Sequence, residues 1–233
     1  MSEKKAITAI SFDGDETLWD FQKVMRHSLA IVLGELRSRV PGEASEGLNI
    51  DKMIEIRNAV AAELRGKTVN LEEVRFQAFK RTLQSIGCAD DALARDLNAR
   101  YLENRFEDIE LYPDVIPALD SLRDEFTLGL LSNGNGYPEH CGLPERFSFV
   151  VFSQDAGAEK PETEIFSVAC RQAGCAPAEL MHVGDSLASD VSGANAVGAV
   201  SVWLNRENVR NDTDVLPDHE IQSLAALAEL VKN

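Results

Sequence analysis

The sequence predicts a doubly wound parallel α/β sheet with an inserted block of helices. Five short apolar segments alternate with segments of helical periodicity, and the long stretch between the first two shows helical periodicity with almost no strand signal. Alternating strands and helices are typical of parallel sheets, because each parallel connection needs a crossover. The pattern predicts a core formed by residues 1–18 and 110–233, with a helical domain at 19–109.

The predicted strands are short apolar runs that end in small polar residues. They begin near Ile7, Phe126, Phe149, Met181 and Val200. Helical segments that separate and follow these strands are predicted at residues 113–125, 162–173, 190–197 and 223–231. The alternation therefore accounts for the whole chain apart from the inserted block.

Four amphipathic helices are predicted in the inserted block, which suggests a small helical bundle. The first helix carries one apolar face, formed by Phe21, Met25, Leu29, Val32 and Leu36. Asn49 and Asn70 have the positions of N-cap residues for the second and third helices.

The composition excludes several classes of partner. The chain has 233 residues, with 23 Lys and Arg against 39 Asp and Glu, a formal net charge of −16. Such acidity disfavours a nucleic-acid polymer or an anionic membrane as the main partner, since both need a basic surface. The N-terminal apolar segment is too short for a secretory signal or a membrane span, so we expect a cytoplasmic protein.

Polar side chains follow the predicted strands where ligands bind in open α/β sheets. They are Asp13, Asp15, Ser132, Asn133 and Asp185 at strand ends, with Lys160 and Asp190 at nearby helix starts. Several carboxylates in one crevice either take up protons or hold a cation. With oxygen ligands and no nearby Cys or His cluster, the expected cation is Mg²⁺, which also binds phosphate oxygens.

Four ordered motifs of this chain resemble those of the haloacid dehalogenase-like hydrolase superfamily. They are Asp-x-Asp-x-Thr-Leu at 13–18, Ser-Asn-Gly at 132–134, Lys-Pro at 160–161 and Gly-Asp-Ser-x-x-x-Asp at 184–190. Each motif alone is weak, and Asp-Gly-Asp by itself is usually a turn. Together they resemble the phosphatase branch, with a Rossmann-like core and a type I helical cap.

The resemblance implies a role for each motif residue. Asp13 is expected to attack phosphorus and form an aspartyl phosphate, while Asp15 protonates the leaving group and then activates water. Ser132, the backbone N–H of Asn133, and Lys160 are expected to hold the phosphoryl group.

The same resemblance implies a set of Mg²⁺ ligands. These are Asp13, Asp185 and the backbone carbonyl of Asp15, with Thr17 and Asp190 in supporting positions. Dehalogenases of the family lack a second aspartate at the position of Asp15, because a halide leaves without a proton.

The resulting prediction is a Mg²⁺-dependent phosphomonoester hydrolase. Its substrate is expected to be a small phosphorylated metabolite, such as a nucleoside monophosphate or a sugar phosphate, and the enzyme a monomer or homodimer. A phosphomutase of the same superfamily and a non-catalytic binding protein on this scaffold remain as alternatives.

Overall fold

The computed structural model describes residues 6–106 and 109–231. The chain divides into two compact units: Met1–Asp20 joined with Glu110–Asn233, and Phe21–Ile109. The first is an α/β unit, and the described residues of the second form helices and loops only. The sequence predicts a catalytic core at residues 1–18 and 110–233 and a helical cap at 19–109, and this assignment of domains stays a prediction.

The α/β unit is built on a six-stranded sheet in which every neighbouring pair is parallel. The strands are β1 Ala9–Phe12, β2 Thr127–Ser132, β3 Phe149–Phe152, β4 Leu180–Gly184, β5 Val200–Leu204 and β6 His219–Ile221. The predicted fold class is thus confirmed. The prediction of five strands was wrong by one, because β6 is a three-residue edge strand with only Ile221 buried.

The strand order is β3-β2-β1-β4-β5-β6, so the chain order reverses at β1. In register, Phe12 pairs with Leu130 of β2 and with Val183 of β4. The residues that follow these three strands therefore emerge side by side at the carboxyl edge. A reversal of this kind opens a crevice at that edge, which is where ligands bind in doubly wound sheets.

Helices of the α/β unit cover the sheet with apolar faces. They are α6 Val115–Leu122, α7 Ser153–Ala156, α8 Thr163–Ala173, α9 Ser192–Val197 and α10 Leu227–Leu230, with short turns of other helix types at Pro177–Glu179, Leu187–Val191 and Leu224–Ala226. The segment predicted as one helix at 223–231 is therefore two short pieces. In α8, Ile165, Phe166 and Ala169 are fully buried in one core cluster with Leu131 and Leu180.

The helical unit has its own apolar core. Its helices are α1 Phe21–Arg39, α2 Glu43–Glu46, α3 Ile50–Leu64, α4 Leu71–Ser85 and α5 Asp91–Asn104. The predicted face of α1 is buried at Met25, Leu29, Val32 and Leu36. Asn49 and Asn70 cap α3 and α4 as predicted, each accepting backbone hydrogen bonds through its side chain. The sequence did not reveal α2, which is a single turn.

None of the helices within residues 6–106 and 109–231 combines the length and the apolar character that spanning a membrane requires.

Candidate active site

A buried lysine joins two carboxylates at the carboxyl edge of the sheet. Nζ of Lys160 donates to Oδ1 of Asp13 at 2.6 Å, to Oδ1 of Asp190 at 2.6 Å and to the carbonyl of Leu131 at 2.8 Å. All three ammonium protons therefore have acceptors. The structure brings the first, third and fourth sequence motifs together around one positive charge, as predicted from the strand ends.

Burial and mutual charge shift the pKa values of this group in different directions. Burial raises the pKa of Asp13 well above its usual value, although the charge of Lys160 opposes the shift. Burial alone would lower the pKa of Lys160, but the charges of Asp13 and Asp190 raise it. Burial alone would raise the pKa of Asp190, yet the charge of Lys160 and a hydrogen bond from His182 lower it. The ion pair of Lys160 with Asp190 is therefore charged over the physiological pH range.

His182 extends this network into β1. Its Nε2 lies 3.0 Å from Oδ1 of Asp190, and its Nδ1 lies 2.8 Å from the hydroxyl of Ser11. Burial lowers the pKa of His182, so the ring is neutral. Because an ionised Asp190 can only accept, we assign the proton to Nε2, and Ser11 then donates to Nδ1. This role of His182 was not predicted from the sequence. The one feature that could have indicated it is the position of a histidine inside a buried strand.

Asp13, Asp185 and Asp190 form a group that could hold a metal ion, with one ligand atom from each within 4.8 Å of the others. Oδ1 of Asp190 already accepts from Lys160, and its Oδ2 accepts from the backbone N–H of Ser186 at 3.0 Å. Asp13 and Asp185 therefore offer the more available oxygens. Carboxylate oxygens without sulfur or imidazole donors fit a hard divalent cation.

Charge balance also favours a cation at Asp185. Burial and the neighbouring charge of Asp190 raise the pKa of Asp185 to about 7. The hydroxyl of Thr17 donates to Oδ1 of Asp185 over a long 3.4 Å, and the Trp203 indole N–H donates to its backbone carbonyl at 2.8 Å. Three carboxylates thus share the single ammonium of Lys160, and a bound cation would neutralise the excess.

Asp15 lies outside this group of carboxylates. Its Oδ1 accepts a 2.8 Å hydrogen bond from the indole N–H of Trp19, and its side chain is half-buried. Its predicted part in metal binding was through the backbone carbonyl, and this stays a prediction. The two aspartates of the first motif therefore have different surroundings, one beside Lys160 and one beside Trp19.

Ser132 ends β2 and Asn133 follows it, and both side chains make hydrogen bonds to backbone groups near the strand end. The hydroxyl of Ser132 accepts from the backbone N–H of Gly134 at 3.0 Å. The side-chain amide of Asn133 donates to the carbonyl of Lys160 at 2.9 Å and accepts from its N–H at 2.7 Å. The hydroxyl of Ser153 donates to the carbonyl of Asn133 at 3.1 Å. Asn133 therefore fixes the backbone that carries Lys160.

Arg206 is a second residue of the site region that the sequence analysis missed. It donates to the carbonyl of Thr17 at 2.9 Å and to both carboxylate oxygens of Asp114 at 2.9 and 3.0 Å. The first motif itself is thereby tied to the segment that follows β5. No local sequence pattern indicates this contact, because Thr17 and Arg206 are 189 positions apart.

The fold and the site define a class of α/β proteins in which an acidic group and one lysine meet where a parallel sheet reverses its order. A family model described as haloacid dehalogenase-like hydrolase matches residues 7–198, and the chain belongs to this family.

Relatives and solved structures match this chain over nearly its full length. A glyceraldehyde 3-phosphate phosphatase of Methanopyrus kandleri is 31% identical across 97% of both chains. The structure of a 2-haloacid dehalogenase from Pseudomonas syringae is 29% identical, with a TM-score of 0.80 over 97% of this chain and 98% of that one. A HAD phosphatase from Thermococcus onnurineus is 28% identical, with a TM-score of 0.68 over the same shares. The family thus includes phosphatases and dehalogenases of similar fold.

Proposed function

We propose that this protein is a Mg²⁺-dependent phosphomonoester hydrolase that works through an aspartyl phosphate on Asp13. The observation that carries the proposal is the separation of the two carboxylates of the first motif. Asp13 lies beside Lys160, while Asp15 is held apart by Trp19. One carboxylate can then act on phosphorus while the other handles protons.

In the first step Asp13 attacks the phosphorus of the substrate. In the described part of the chain, Oδ1 of Asp13 accepts a side-chain hydrogen bond from Lys160 and Oδ2 accepts none. Oδ2 is therefore available as the nucleophile. A bond forms between Oδ2 and phosphorus, the ester P–O bond breaks, and Asp15 gives its proton to the departing alkoxide. Lys160 offsets the negative charge of the phosphoryl group.

In the second step water hydrolyses the aspartyl phosphate. Asp15, now a carboxylate, takes a proton from water as the water oxygen bonds to phosphorus. The bond from phosphorus to Asp13 breaks, inorganic phosphate leaves, and both aspartates return to their starting states. Ser132 and the N–H of Asn133 hold the phosphoryl oxygens throughout.

Asp13, Asp185 and the carbonyl of Asp15 are the proposed Mg²⁺ ligands, with Thr17 and Asp190 as their support. When bound, Mg²⁺ would supply positive charge to the phosphoryl oxygens and keep Asp13 ionised. The shortage of positive charge among Asp13, Asp185 and Asp190 supports this assignment.

We infer a small phosphorylated metabolite as the substrate, such as a sugar phosphate or a nucleoside monophosphate. A relative named for glyceraldehyde 3-phosphate, a triose phosphate, supports the first class. The net charge of −16 disfavours a nucleic-acid polymer or a membrane surface as the partner. We further propose that the helical unit is a cap, and that the protein works in the cytoplasm as a monomer or homodimer.

Dehalogenation is the second candidate, because a structural neighbour at 29% identity is described as a 2-haloacid dehalogenase. Asp15 favours phosphoryl chemistry, since an alkoxide needs a proton to leave and a halide does not.

A phosphomutase would use the same first step and pass the phosphoryl group to a second sugar phosphate. A non-catalytic binding protein would have no need of two separately held carboxylates.

The test is a screen of phosphomonoesters with Mg²⁺ and with EDTA, beside halide release from 2-chloropropionate. We expect phosphate release that needs Mg²⁺ and that falls by at least about 10³-fold in Asp13→Asn. Asp124→Asn is the matched control, an exposed carboxylate before β2. Halide release without phosphate release would favour the dehalogenase, and transfer to a sugar phosphate faster than to water would favour the mutase.

A further inference from the structure

We propose that Trp19 is a positioning residue that fixes which oxygen of Asp15 transfers the proton. The inference rests on the proposed function, in which Asp15 is the general acid and base. It assigns a chemical role to a buried aromatic residue of the α/β unit.

The contact between the two side chains is short and shielded. The indole Nε1 of Trp19 donates to Oδ1 of Asp15 at 2.8 Å, and Trp19 is only 2% exposed. The backbone between them turns back, since the N–H of Glu16 donates to the carbonyl of Trp19 at 2.9 Å and Glu16 has a φ of 62°. A non-glycine residue in this left-handed region shows that the turn is imposed by its surroundings.

Two glycines allow the indole ring to lie where it does. A β-carbon at Gly14 or at Gly136 would come within 2.7 Å of Cζ2 of Trp19, closer than atoms can pack. The two glycines belong to different segments, one within the first motif and one in the loop after β2. Both segments therefore pack against the same edge of the ring, at Cζ2, and a ring held closely in this way can orient the group that it binds.

The second oxygen of Asp15 points toward the turn that follows β2. A β-carbon at Gly134 would lie 2.9 Å from Oδ2 of Asp15 and 3.2 Å from the hydroxyl of Ser132. Oδ2 and the Ser132 hydroxyl therefore border the same small space beside Gly134. This is the turn that the proposed function assigns to the phosphoryl group.

The chemistry of the indole then decides where the proton resides. An indole N–H is a donor only, so the oxygen that it contacts must accept. Oδ1 of Asp15 is therefore the acceptor, and a protonated Asp15 carries its proton on Oδ2, the oxygen beside Ser132. Without the indole N–H the proton can also lie on the oxygen away from Ser132, and the carboxyl group can rotate out of line with the leaving oxygen, so most of its orientations are unproductive.

The test compares two substrates of similar shape whose leaving groups differ in their need for a proton. The p-nitrophenolate of p-nitrophenyl phosphate leaves readily, whereas the phenolate of phenyl phosphate needs more assistance. The measure is kcat/KM, which reports formation of the aspartyl phosphate, because its later hydrolysis is common to both esters. For Trp19→Phe we expect kcat/KM to fall roughly 10- to 100-fold with phenyl phosphate and within about threefold with p-nitrophenyl phosphate. A merely structural role would lower both rates alike.

Two further variants separate the N–H from the packing of the ring. Replacing the indole of Trp19 with the isosteric benzothiophene removes the donor and keeps the ring, and should reproduce the selective loss. Leu122→Ala, a buried substitution in α6, is the control for general destabilisation and should affect both substrates equally.

Equal losses of kcat/KM on the two substrates, or wild-type values of kcat/KM for the benzothiophene variant, would overturn the role of Trp19 and leave the proposed function standing. Absence of phosphate release by the wild-type protein from every ester tested would overturn both.

Discussion

Two buried cations of this protein, one in each unit, differ in how completely they are paired. In the α/β unit, the buried Lys160 has three acceptors and joins Asp13 to Asp190. In the helical unit, Nε of Arg75 is buried and has no hydrogen-bond partner among the described residues. The buried ammonium of Lys160 is thus fully paired, whereas the guanidinium of Arg75 is not.

Arg75 also lies among like charges. Burial, followed by the charge of Arg105, lowers the pKa of Arg75 to about 10. The charge of Arg57 also lowers the pKa of Arg75. The guanidinium groups of Arg57 and Arg105 lie 5.8 and 5.9 Å, respectively, from the centre of the Phe21 ring. A chain with a net charge of −16 has therefore gathered positive charge inside its helical unit.

The comparison shows that burial of a charged residue does not by itself indicate a stabilising contact. Removing one partner from a buried pair exposes the desolvation cost of the other, whereas removing an incompletely paired charge relieves that cost. Replacing Lys160 and replacing Arg75 by methionine should therefore have opposite effects on stability.

The largest effect is expected for Lys160→Met. Asp13 and Asp190 would be left buried without their cation, which should lower the free energy of unfolding by about 3–5 kcal/mol and abolish phosphate release. Urea unfolding at pH 7 in EDTA measures the stability. The double variant with Asp190→Asn removes one of the stranded charges and should recover part of the stability but no activity. Additive losses in the double variant would contradict the pairing.

Asp185→Asn should have the opposite sign in the metal-free protein. It removes one of three carboxylates that share a single ammonium, so the free energy of unfolding in EDTA should rise by about 1–3 kcal/mol. Added Mg²⁺ should raise the melting temperature of the wild type and leave that of the variant almost unchanged. A variant that is less stable in EDTA, or that still responds to Mg²⁺, would show that Asp185 is not the residue short of positive charge.

Part of the site could be predicted from the sequence, and part could not. Asp13 and Asp185 were predicted to meet because apolar strands ended in polar residues and parallel strands share one carboxyl edge, with Asp190 expected close by at a helix start. The contacts of Ser11 with His182, and of Thr17 with Arg206, join positions 171 and 189 apart in the chain. No periodicity encodes such contacts, since they depend on side-chain packing across strands.

The elements of the fold divide in the same way. The strand Phe149–Phe152 was predicted with its observed bounds, because four consecutive apolar residues precede a polar turn. The edge strand His219–Ile221 was missed, because only one of its three residues is buried and its pattern is that of a loop. Sequence periodicity reports burial, and an edge strand has little of it.

Asp114 provides an example of a well-paired charge away from the lysine. Its carboxylate accepts from Arg206, from the hydroxyl of Ser223 at 2.7 Å and from the N–H of Leu224 at 2.8 Å. Asp114→Asn should lower the free energy of unfolding by about 1–2 kcal/mol at pH 7, measured by urea unfolding.

The effect of Asp114 should depend on pH with a defined sign. Burial alone would raise the pKa of Asp114, but the hydrogen bonds from Arg206 and Ser223 lower it. A carboxyl group with a lowered pKa in the folded state stabilises the protein above its unfolded pKa and loses this contribution as the pH falls through the folded pKa. The difference between wild type and Asp114→Asn should therefore shrink below about pH 4. A constant difference would mean that packing, not charge, carries the effect.

The smallest effect is expected for Arg75→Met, and its sign should be opposite to that of Lys160→Met. Methionine keeps most of the apolar stem and removes a charge that burial and Arg105 disfavour, so the free energy of unfolding should stay equal or rise by about 0.5–1 kcal/mol. Arg95→Met is the matched control, because Arg95 is exposed and lies 4.9 Å over the Phe76 ring. Its loss should cost a few tenths of a kcal/mol, as exposed cation–π contacts contribute little. If Arg75→Met destabilises the protein more than Arg95→Met does, the buried guanidinium of Arg75 stabilises the fold, and the contrast between Lys160 and Arg75 fails.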